Sequence, residues 1–213
     1  MGVIGRQSIK NNLIQYVAVV IGLLGMLFVY KLDVDLYGRL SVLLEMGLLL
    51  ATFTSLGSNP ILIRFFPQFK ESQASQARLF TFSLLLGGLG CCLAAGLLGL
   101  VGVPAVGLWL TERLPNAQLL LEYRWVVLSI TVFTILYRVL NSQSANFMRI
   151  TIQAITDSLL VKIGMIAVIL GVVYQWWSPQ AGAWGLAVVY GLIFLLAFVH
   201  LLLIGQFRLN FRL

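Results

Sequence analysis

The stretch LFTFSLLLGGLGCCLAAGLLGLVGV, residues 79–103, carries no charged side chain over 25 consecutive positions (103 − 79 + 1). An α-helix rises about 1.5 Å per residue, so roughly 20 apolar residues are needed to cross a hydrocarbon layer about 30 Å thick. The stretch is long enough for that, and its glycines allow a close approach of neighbouring helices in lipid. We predict that it is a membrane-spanning helix.

Five further stretches of 20–23 residues are also mostly apolar, at residues 11–30, 40–62, 119–140, 158–177 and 183–204. Hydrophobic residues make up 60% of the chain and charged residues 10%, and the mean hydropathy is +0.98. A soluble globular protein of this size does not have such a composition. The sequence therefore predicts an all-α polytopic membrane protein, with six transmembrane helices forming one unit over residues 1–213.

The basic residues between the stretches predict the orientation of the chain. Nine lie on the side that holds both termini: Arg6, Lys10, Arg64, Lys70, Arg78, Arg138, Arg149, Arg208 and Arg212. Four lie on the other side: Lys31, Arg39, Arg113 and Arg124. Cytoplasmic segments carry the excess of Lys and Arg, so both termini are expected on the cytoplasmic side of the membrane. Trp109, Trp125, Trp176 and Trp177 fall near the predicted outer boundary, where indole rings are enriched.

Several other functions are disfavoured by the composition. The net charge of +7 is accounted for by anchors near anionic lipid headgroups, and no nucleic-acid-binding pattern is present, so no nucleic acid partner is expected. The first apolar stretch is too long for a signal peptide and lacks a cleavage site. Cys91 and Cys92 are adjacent on one helix and cannot form an ordinary disulfide or share a metal ion. His200 is the only histidine, and no serine stands in the Gly-x-Ser-Gly setting of intramembrane serine proteases. No enzyme, metal site or cofactor is predicted.

A stripe of polar residues follows the second stretch. At about 100° per helical residue these positions fall within an arc of roughly 80°, and they are Ser41, Glu45, Thr52, Ser55 and Asn59. A carboxylate inside a bilayer costs at least about 2.5 kcal/mol and tends to face protein or water. The stripe is therefore interpreted as a cavity wall, with Glu45 as an ion-coupling candidate. The alternative places Glu45 near the outer interface and uses the smaller polar residues to hold helices together.

The fourth stretch carries a matching stripe within roughly 100°, formed by Arg124, Thr131, Thr134, Arg138 and Asn141. The two arginines are 14 residues apart, which is about 21 Å along a helix. Arginine suits bidentate recognition of phosphate, so these residues are candidates for binding an anionic substrate. The alternative is a pair of interfacial arginines that extend towards the headgroups.

Two more residues complete the set of polar candidates. Gln15 lies on one face of the first stretch and is a further cavity candidate. Lys162 lies about one turn into the fifth stretch, close in sequence to Asp157. A lysine at such a position is usually an interfacial anchor, so it is not assigned to the cavity.

Four segments resemble bacterial polysaccharide flippases of the Wzx-like, MOP-superfamily kind. These are the opening Arg6-Gln-Ser-Ile-Lys-Asn-Asn12, the loop over 31–40 that ends in Tyr-Gly-Arg-Leu, the stretch Ser55-Leu-Gly-Ser-Asn-Pro-Ile-Leu-Ile-Arg-Phe-Phe-Pro-Gln-Phe-Lys70, and residues 141–162. The last resembles the family's second cytoplasmic loop. The likeness covers the whole chain but only the first half of the family's usual twelve to fourteen spans.

The resemblance implies one six-helix lobe of a transporter that moves an undecaprenyl-diphosphate-linked oligosaccharide across the cytoplasmic membrane. The partners expected on this basis are the lipid-linked oligosaccharide, membrane lipid and a second six-helix lobe, either a C-terminal half or a second copy. Arg124 and Arg138 would then hold the pyrophosphate or guide the sugar. A lobe of a multidrug or cation antiporter, or a six-helix binding subunit without transport activity of its own, are the alternatives.

Overall fold

The computed structural model describes residues 3–69, 72–113, 116–147, 155–205, 207, 209 and 210, with side chains from residue 9 onward. The α-helices among them are α1 (Val3–Leu24), α2 (Val34–Thr54), α3 (Ser58–Phe65), α4 (Gln73–Val101), α5 (Pro104–Arg113), α6 (Ala117–Glu122), α7 (Arg124–Asn146), α8 (Val161–Val173) and α9 (Pro179–Leu203). Two π-helical segments, Gly25–Val29 and Ile155–Leu160, extend α1 and precede α8. A 3₁₀ turn at Phe66–Phe69 follows α3.

Six helices of the described chain are long and apolar enough to cross a membrane, which confirms the predicted number of spans. They cover Ile9–Val29, Val34–Thr54, Gln73–Val101, Arg124–Asn146, Ile155–Val173 and Pro179–Leu203, and no β-strand occurs among the described residues. Since the spans alternate in direction, Ile9 and Leu203 lie on one face of the bundle, called here the terminal face. The opposite face, which holds α5, α6 and the turn before Pro179, is called the loop face.

The second span differs from the predicted helix over 40–62 at both ends. It begins at Val34 because the carboxylate of Asp33 accepts a hydrogen bond from the Leu36 amide at 2.9 Å and caps the first turn. It ends at Thr54, because Leu56 and Gly57 adopt left-handed backbone conformations, with φ of 51° and 73°. A right-handed helix cannot continue through two such residues. Asn59 therefore lies on a separate helix, α3, and not on the same helix as Glu45.

Other predicted boundaries shift in a similar way. The span predicted over 119–140 is divided at Tyr123 into the short α6 and the long α7, which continues to Asn146. The fifth span ends at Val173, so Trp176 and Trp177 lie in the turn at the loop face. There the Ser178 hydroxyl accepts from the Ala181 amide at 3.2 Å, and Pro179 occupies the first turn of α9.

The helix α7 is the centre of the bundle. It packs against α2, α3, α4 and α9, while α8 packs against α9. Two apolar clusters fill the space around it, one centred on Val127 and Ile130 and the other on Val139 and Leu140.

The first helix has a peripheral position. It packs mainly against Ile155–Leu160 and α8, and most of its apolar side chains are exposed on the outside of the bundle. Near the loop face, the Tyr30 ring stacks on Tyr37 at the start of α2, with centroids 4.2 Å apart. The first and second spans are thus connected at one end.

Candidate functional site

The two predicted polar stripes meet where α2 packs against α7. The Thr131 hydroxyl lies 3.1 Å from the Gly47 carbonyl of α2 and 2.8 Å from the Val127 carbonyl of its own helix. Thr131 is 0% exposed and Thr134 is 3% exposed. These two threonines therefore lie in the helix interface and not on an open wall.

Towards the terminal face, the contacts between the stripes become polar and accessible. Arg138 on α7 donates a hydrogen bond from Nη1 to Thr52 Oγ1 on α2, at 3.2 Å. One turn further along α7, the Ser142 hydroxyl donates to Asn59 Oδ1 at 2.8 Å. Thr52 is exposed, and Arg138 and Asn59 are half-buried. Arg138 and Thr52 thus lie side by side on an open surface of the bundle.

Glu45 lies near the middle of the second span. It is residue 12 of the 21 in α2 (45 − 34 + 1), and its side chain is exposed. The early start of α2 produces this depth, since a helix beginning at Leu40 would have placed Glu45 close to its end. A carboxylate at this depth is costly against lipid, which favours contact with protein or water.

A tyrosine that the sequence analysis did not single out connects these charges. Tyr190 is residue 12 of the 25 in α9 (190 − 179 + 1) and is buried. Its phenol interacts electrostatically with Asp157, Arg138 and Glu45. We call Glu45, Thr52, Arg138, Asp157 and Tyr190 the polar cluster; it brings together residues from four of the six spans.

A second tyrosine links α7 to the start of the fifth span. The hydroxyls of Tyr137 and Thr156 are 2.5 Å apart in a buried contact, and Tyr137 also interacts with the Asp157 carboxylate. Both tyrosines escaped the sequence analysis, because a tyrosine in an apolar stretch resembles any other aromatic core residue. The only available signal was that Tyr137 directly precedes Arg138.

Lys162 occupies a deeper position than an interfacial anchor. Its Nζ donates a hydrogen bond at 3.0 Å to the carbonyl of Ala18, residue 10 of the 21 in the first span (18 − 9 + 1). The side chain passes over Gly22, where an added Cβ would lie 3.2 Å from the lysine Cδ and Nζ. The absence of a side chain at residue 22 therefore makes room for Lys162 between α1 and α8.

The remaining candidates lie outside the polar cluster. Arg124 is at the loop-face end of α7, about 21 Å from Arg138 along the helix. The Ser55 hydroxyl donates to the Thr52 carbonyl at 3.1 Å, and Gln15 is exposed on α1. Ser41 and Asn141 are half-buried.

The loop face holds an open polar cleft of about 670 Å³. Its polar lining consists of Asp35, Arg39, Asn116, Gln118 and Glu122. Burial, together with the nearby Glu122 carboxylate, raises the pKa of Tyr123, while Arg39 acts in the opposite direction. Within the described ranges no group of three or more His, Cys, Asp or Glu side chains is placed to hold a metal ion.

The architecture defines the class of protein as a multi-pass helical membrane protein. Comparison of the chain with protein-family models, with curated proteins and with solved structures found no match.

Proposed function

We propose that the chain is one lobe of a MOP-type exporter that moves an undecaprenyl-diphosphate-linked oligosaccharide across the bacterial cytoplasmic membrane, with both termini cytoplasmic. The observation that carries the proposal is the Arg138–Thr52 contact on an open face of the bundle. Arg138 also lies within electrostatic range of Tyr190, as do Glu45 and Asp157. Ionisable residues within membrane spans are rare, and they mark substrate pathways, ion pathways and proton relays.

The chemistry of the cluster fits an anionic lipid headgroup. The planar guanidinium of Arg138 can bind a phosphate oxygen pair, and among the described residues its hydrogen-bond partner is the neutral hydroxyl of Thr52. In this proposal Arg138 holds the pyrophosphate while the polyprenyl tail stays in the bilayer. Glu45 and Asp157 supply the acidic groups through which an ion gradient acts.

The exposure of the cluster supports a second lobe. Glu45 and Thr52 are open on the surface of the described bundle, although they lie within a membrane span. Direct contact of such groups with lipid tails is unfavourable. A further segment of six helices, or a second copy of this chain, would cover this face and enclose a water-filled cavity.

An antiporter lobe for cationic compounds is the rival with a specific observation in its favour. Two carboxylates, Glu45 and Asp157, interact with the same tyrosine, and acidic cavities suit cationic substrates. Arg138 argues against it, because a fixed cation at the centre of the cluster repels a cationic substrate.

The two functions are separated by binding measurements on the protein in lipid nanodiscs. The probes are undecaprenyl diphosphate carrying a fluorescent oligosaccharide and a fluorescent lipophilic cation. We expect the diphosphate to bind, and Arg138→Ala to weaken it about tenfold or more, since hydrogen bonds to charged groups contribute about 1.5–3 kcal/mol. Arg113→Ala, which changes an exposed arginine on α5, is the matched control.

A transport assay in lipid vesicles complements the binding measurement. We expect Glu45→Gln to leave diphosphate binding unchanged and to remove the dependence of transport on the ion gradient. Binding of the cation alone, lost in Glu45→Gln, would establish the antiporter instead. Full transport in both Glu45→Gln and Arg138→Ala would exclude the polar cluster as the pathway.

A further inference from the structure

A cavity of about 400 Å³ opens at the loop face between the end of α4 and the start of α7. The α4 side is formed by Ala95, Gly99 and Gly102, and the α7 side by Arg124, Trp125 and Leu128. No residue of the polar cluster lines it. The cavity is thus distinct from the site proposed for the exported substrate.

Glycine keeps this cavity open. A Cβ added at Gly99 would have no other atom within 4 Å, so the space beside it is empty. A Cβ at Gly102 would collide with Nη1 of Arg124. The arginine side chain therefore lies across Gly102, and the apolar groove beside Ala95 and Gly99 runs from it towards the membrane interior.

Arg124 supplies a positive charge at the mouth of the groove. Its guanidinium carbon lies 5.5 Å from the centre of the Trp125 ring, and Trp125 is 58% exposed. Within the described part of the chain, this guanidinium forms no ion pair with an acidic side chain and donates no hydrogen bond. Arginine donates from five N–H groups in a planar fork, so the edge facing away from α4 remains available to a ligand.

We propose that this cavity binds a phosphate-bearing glycerolipid of the surrounding leaflet. The lipid phosphate accepts hydrogen bonds from Arg124, and the adjoining part of one acyl chain lies in the groove along Ala95, Gly99 and Leu128. Two complementary features carry the assignment: the arginine fork matches a phosphate, and the glycine-bounded groove matches an alkyl chain. Trp125 and Arg124 lie at the predicted membrane–water interface, at the level of the lipid headgroups.

Native mass spectrometry of the purified protein tests the proposal by titration with three lipids of equal chain length. Phosphatidylglycerol carries the phosphate and a net charge, phosphatidylcholine carries the phosphate without a net charge, and diacylglycerol lacks the phosphate. We expect both phospholipids to bind and diacylglycerol not to bind. Arg124→Gln should weaken phospholipid binding about tenfold or more.

Two further variants distinguish lipid binding in the cavity from a purely structural effect of replacing Arg124. Gly99→Leu fills the groove without changing the arginine and should weaken phospholipid binding to a similar degree. Arg113→Gln is the matched control, since Arg113 makes the same kind of stack on Trp109, at 5.6 Å, without lining this cavity. Circular dichroism confirms that each variant remains folded.

Three results would overturn the assignment. If diacylglycerol bound as tightly as the phospholipids, the cavity would not recognise the lipid phosphate. Unchanged phospholipid binding in both Arg124→Gln and Gly99→Leu would place the lipid elsewhere. Displacement of phosphatidylglycerol by undecaprenyl diphosphate at equal concentration, lost in Arg124→Gln, would make the cavity a site for the polyprenyl lipid and not for a glycerolipid.

Discussion

At the scale of single residues, the polar stripes of α2 and α7 perform two different tasks. Thr131 is fully buried and bonded to a backbone carbonyl of the neighbouring helix, whereas Thr52 is exposed and bonded to Arg138. The stripe on α7 is therefore part of the interface with α2 at its centre, and it is accessible nearer the terminal face. The helical periodicity of the sequence does not distinguish these two environments along one helix.

This division predicts different effects for the same substitution. Thr131→Val removes an interhelical hydrogen bond and should lower the free energy of unfolding by about 0.6–1.7 kcal/mol. Thr52→Val changes an exposed position and should leave that free energy within about 0.5 kcal/mol of the starting value. Unfolding of both variants in mixed detergent micelles measures the difference. Equal losses in the two variants would mean that the stripe has a single, structural role.

Gly47 makes the close approach of the same two helices possible. A Cβ added there would lie 2.7 Å and 3.0 Å from the Ile130 side chain, whereas one added at Gly38 on the same helix would meet nothing within 4 Å. We expect Gly47→Ala to destabilise the protein by about 1–3 kcal/mol through overpacking, and Gly38→Ala not to do so. Thermal unfolding in detergent compares the two variants. A loss in Gly38→Ala as large as that in Gly47→Ala would assign the effect to the glycine itself and not to the packing.

At the scale of elements, the break between α2 and α3 is held in place by α4. The Thr54 carbonyl, at the end of α2, lies against Gly90 so closely that a Cβ there would collide with it, and Ser58 at the start of α3 is buried beside Gly87. Since a backbone carbonyl cannot rotate away as a side chain can, the break and α4 must separate if residue 90 gains a side chain.

The break therefore predicts a large contrast between two neighbouring glycines. We expect Gly90→Ala to destabilise the protein by about 2 kcal/mol or more, and Gly88→Ala, which meets nothing within 4 Å, to be tolerated. The measurement is the unfolding free energy of each variant in detergent. If Gly90→Ala kept full stability, the close contact between Thr54 and α4 could not exist in solution.

Hydropathy predicted the number of membrane spans correctly but not the residues at which they begin and end. Counting apolar residues shows where a helix is long enough to span a membrane. The second span, however, begins at the cap formed by Asp33 and ends before the positive φ of Leu56, and neither feature changes the number of apolar residues. For the same reason, the depth of Glu45 became clear only once the start of α2 was known. The sequence placed Thr52 and Arg138 on polar stripes of two different helices, but periodicity does not show which helix a stripe faces. Their contact, like the position of Tyr190 on α9, depends on helix packing that no local pattern shows.

The link between the first two spans predicts a pH dependence. Burial and the neighbouring Tyr37 raise the pKa of Tyr30 above its ordinary value of 10.0. The folded protein then keeps its proton where the unfolded chain loses it, so the contribution to stability is complete below about pH 10 and declines as pH rises through the raised pKa. Absorbance at 295 nm during an alkaline titration should show a late component of ionisation that is lost in Tyr30→Phe.

Tyr123, whose pKa is also raised, sets the control for this titration. Tyr123→Phe should remove a different late component and leave that of Tyr30 in place. If Tyr30→Phe left the titration curve unchanged, the stack on Tyr37 would not restrict ionisation.

At the scale of the whole molecule, the bundle consists of a packed body and one loosely attached helix. The body is built around α7, while α1 is held by Ile155–Leu160 and α8 along its length and by the Tyr30–Tyr37 stack near the loop face. The polar cluster lies on α2, α7, α9 and the start of the fifth span. A helix attached in this way can shift relative to the polar cluster without unpacking the core.

The position of Lys162 over Gly22 predicts how that attachment can be disturbed. Gly22→Leu should push the lysine side chain away, break its hydrogen bond to Ala18 and separate α1 from α8. The readout is the distance between spin labels at Tyr16→Cys on α1 and Phe53→Cys on α2, with Cys91 and Cys92 replaced by alanine. We expect a longer and broader distance distribution, and a loss of stability of about 1–3 kcal/mol.

A compensating variant makes this prediction specific. Lys162→Ala removes the side chain with which the leucine collides, so Gly22→Leu combined with Lys162→Ala should return most of the label distance towards the starting value, and the two effects on stability should not add. Leu23→Phe, a change of size on the exposed side of α1, should leave the distance unchanged. Additive effects in the double variant would mean that Lys162 and Gly22 act on α1 independently.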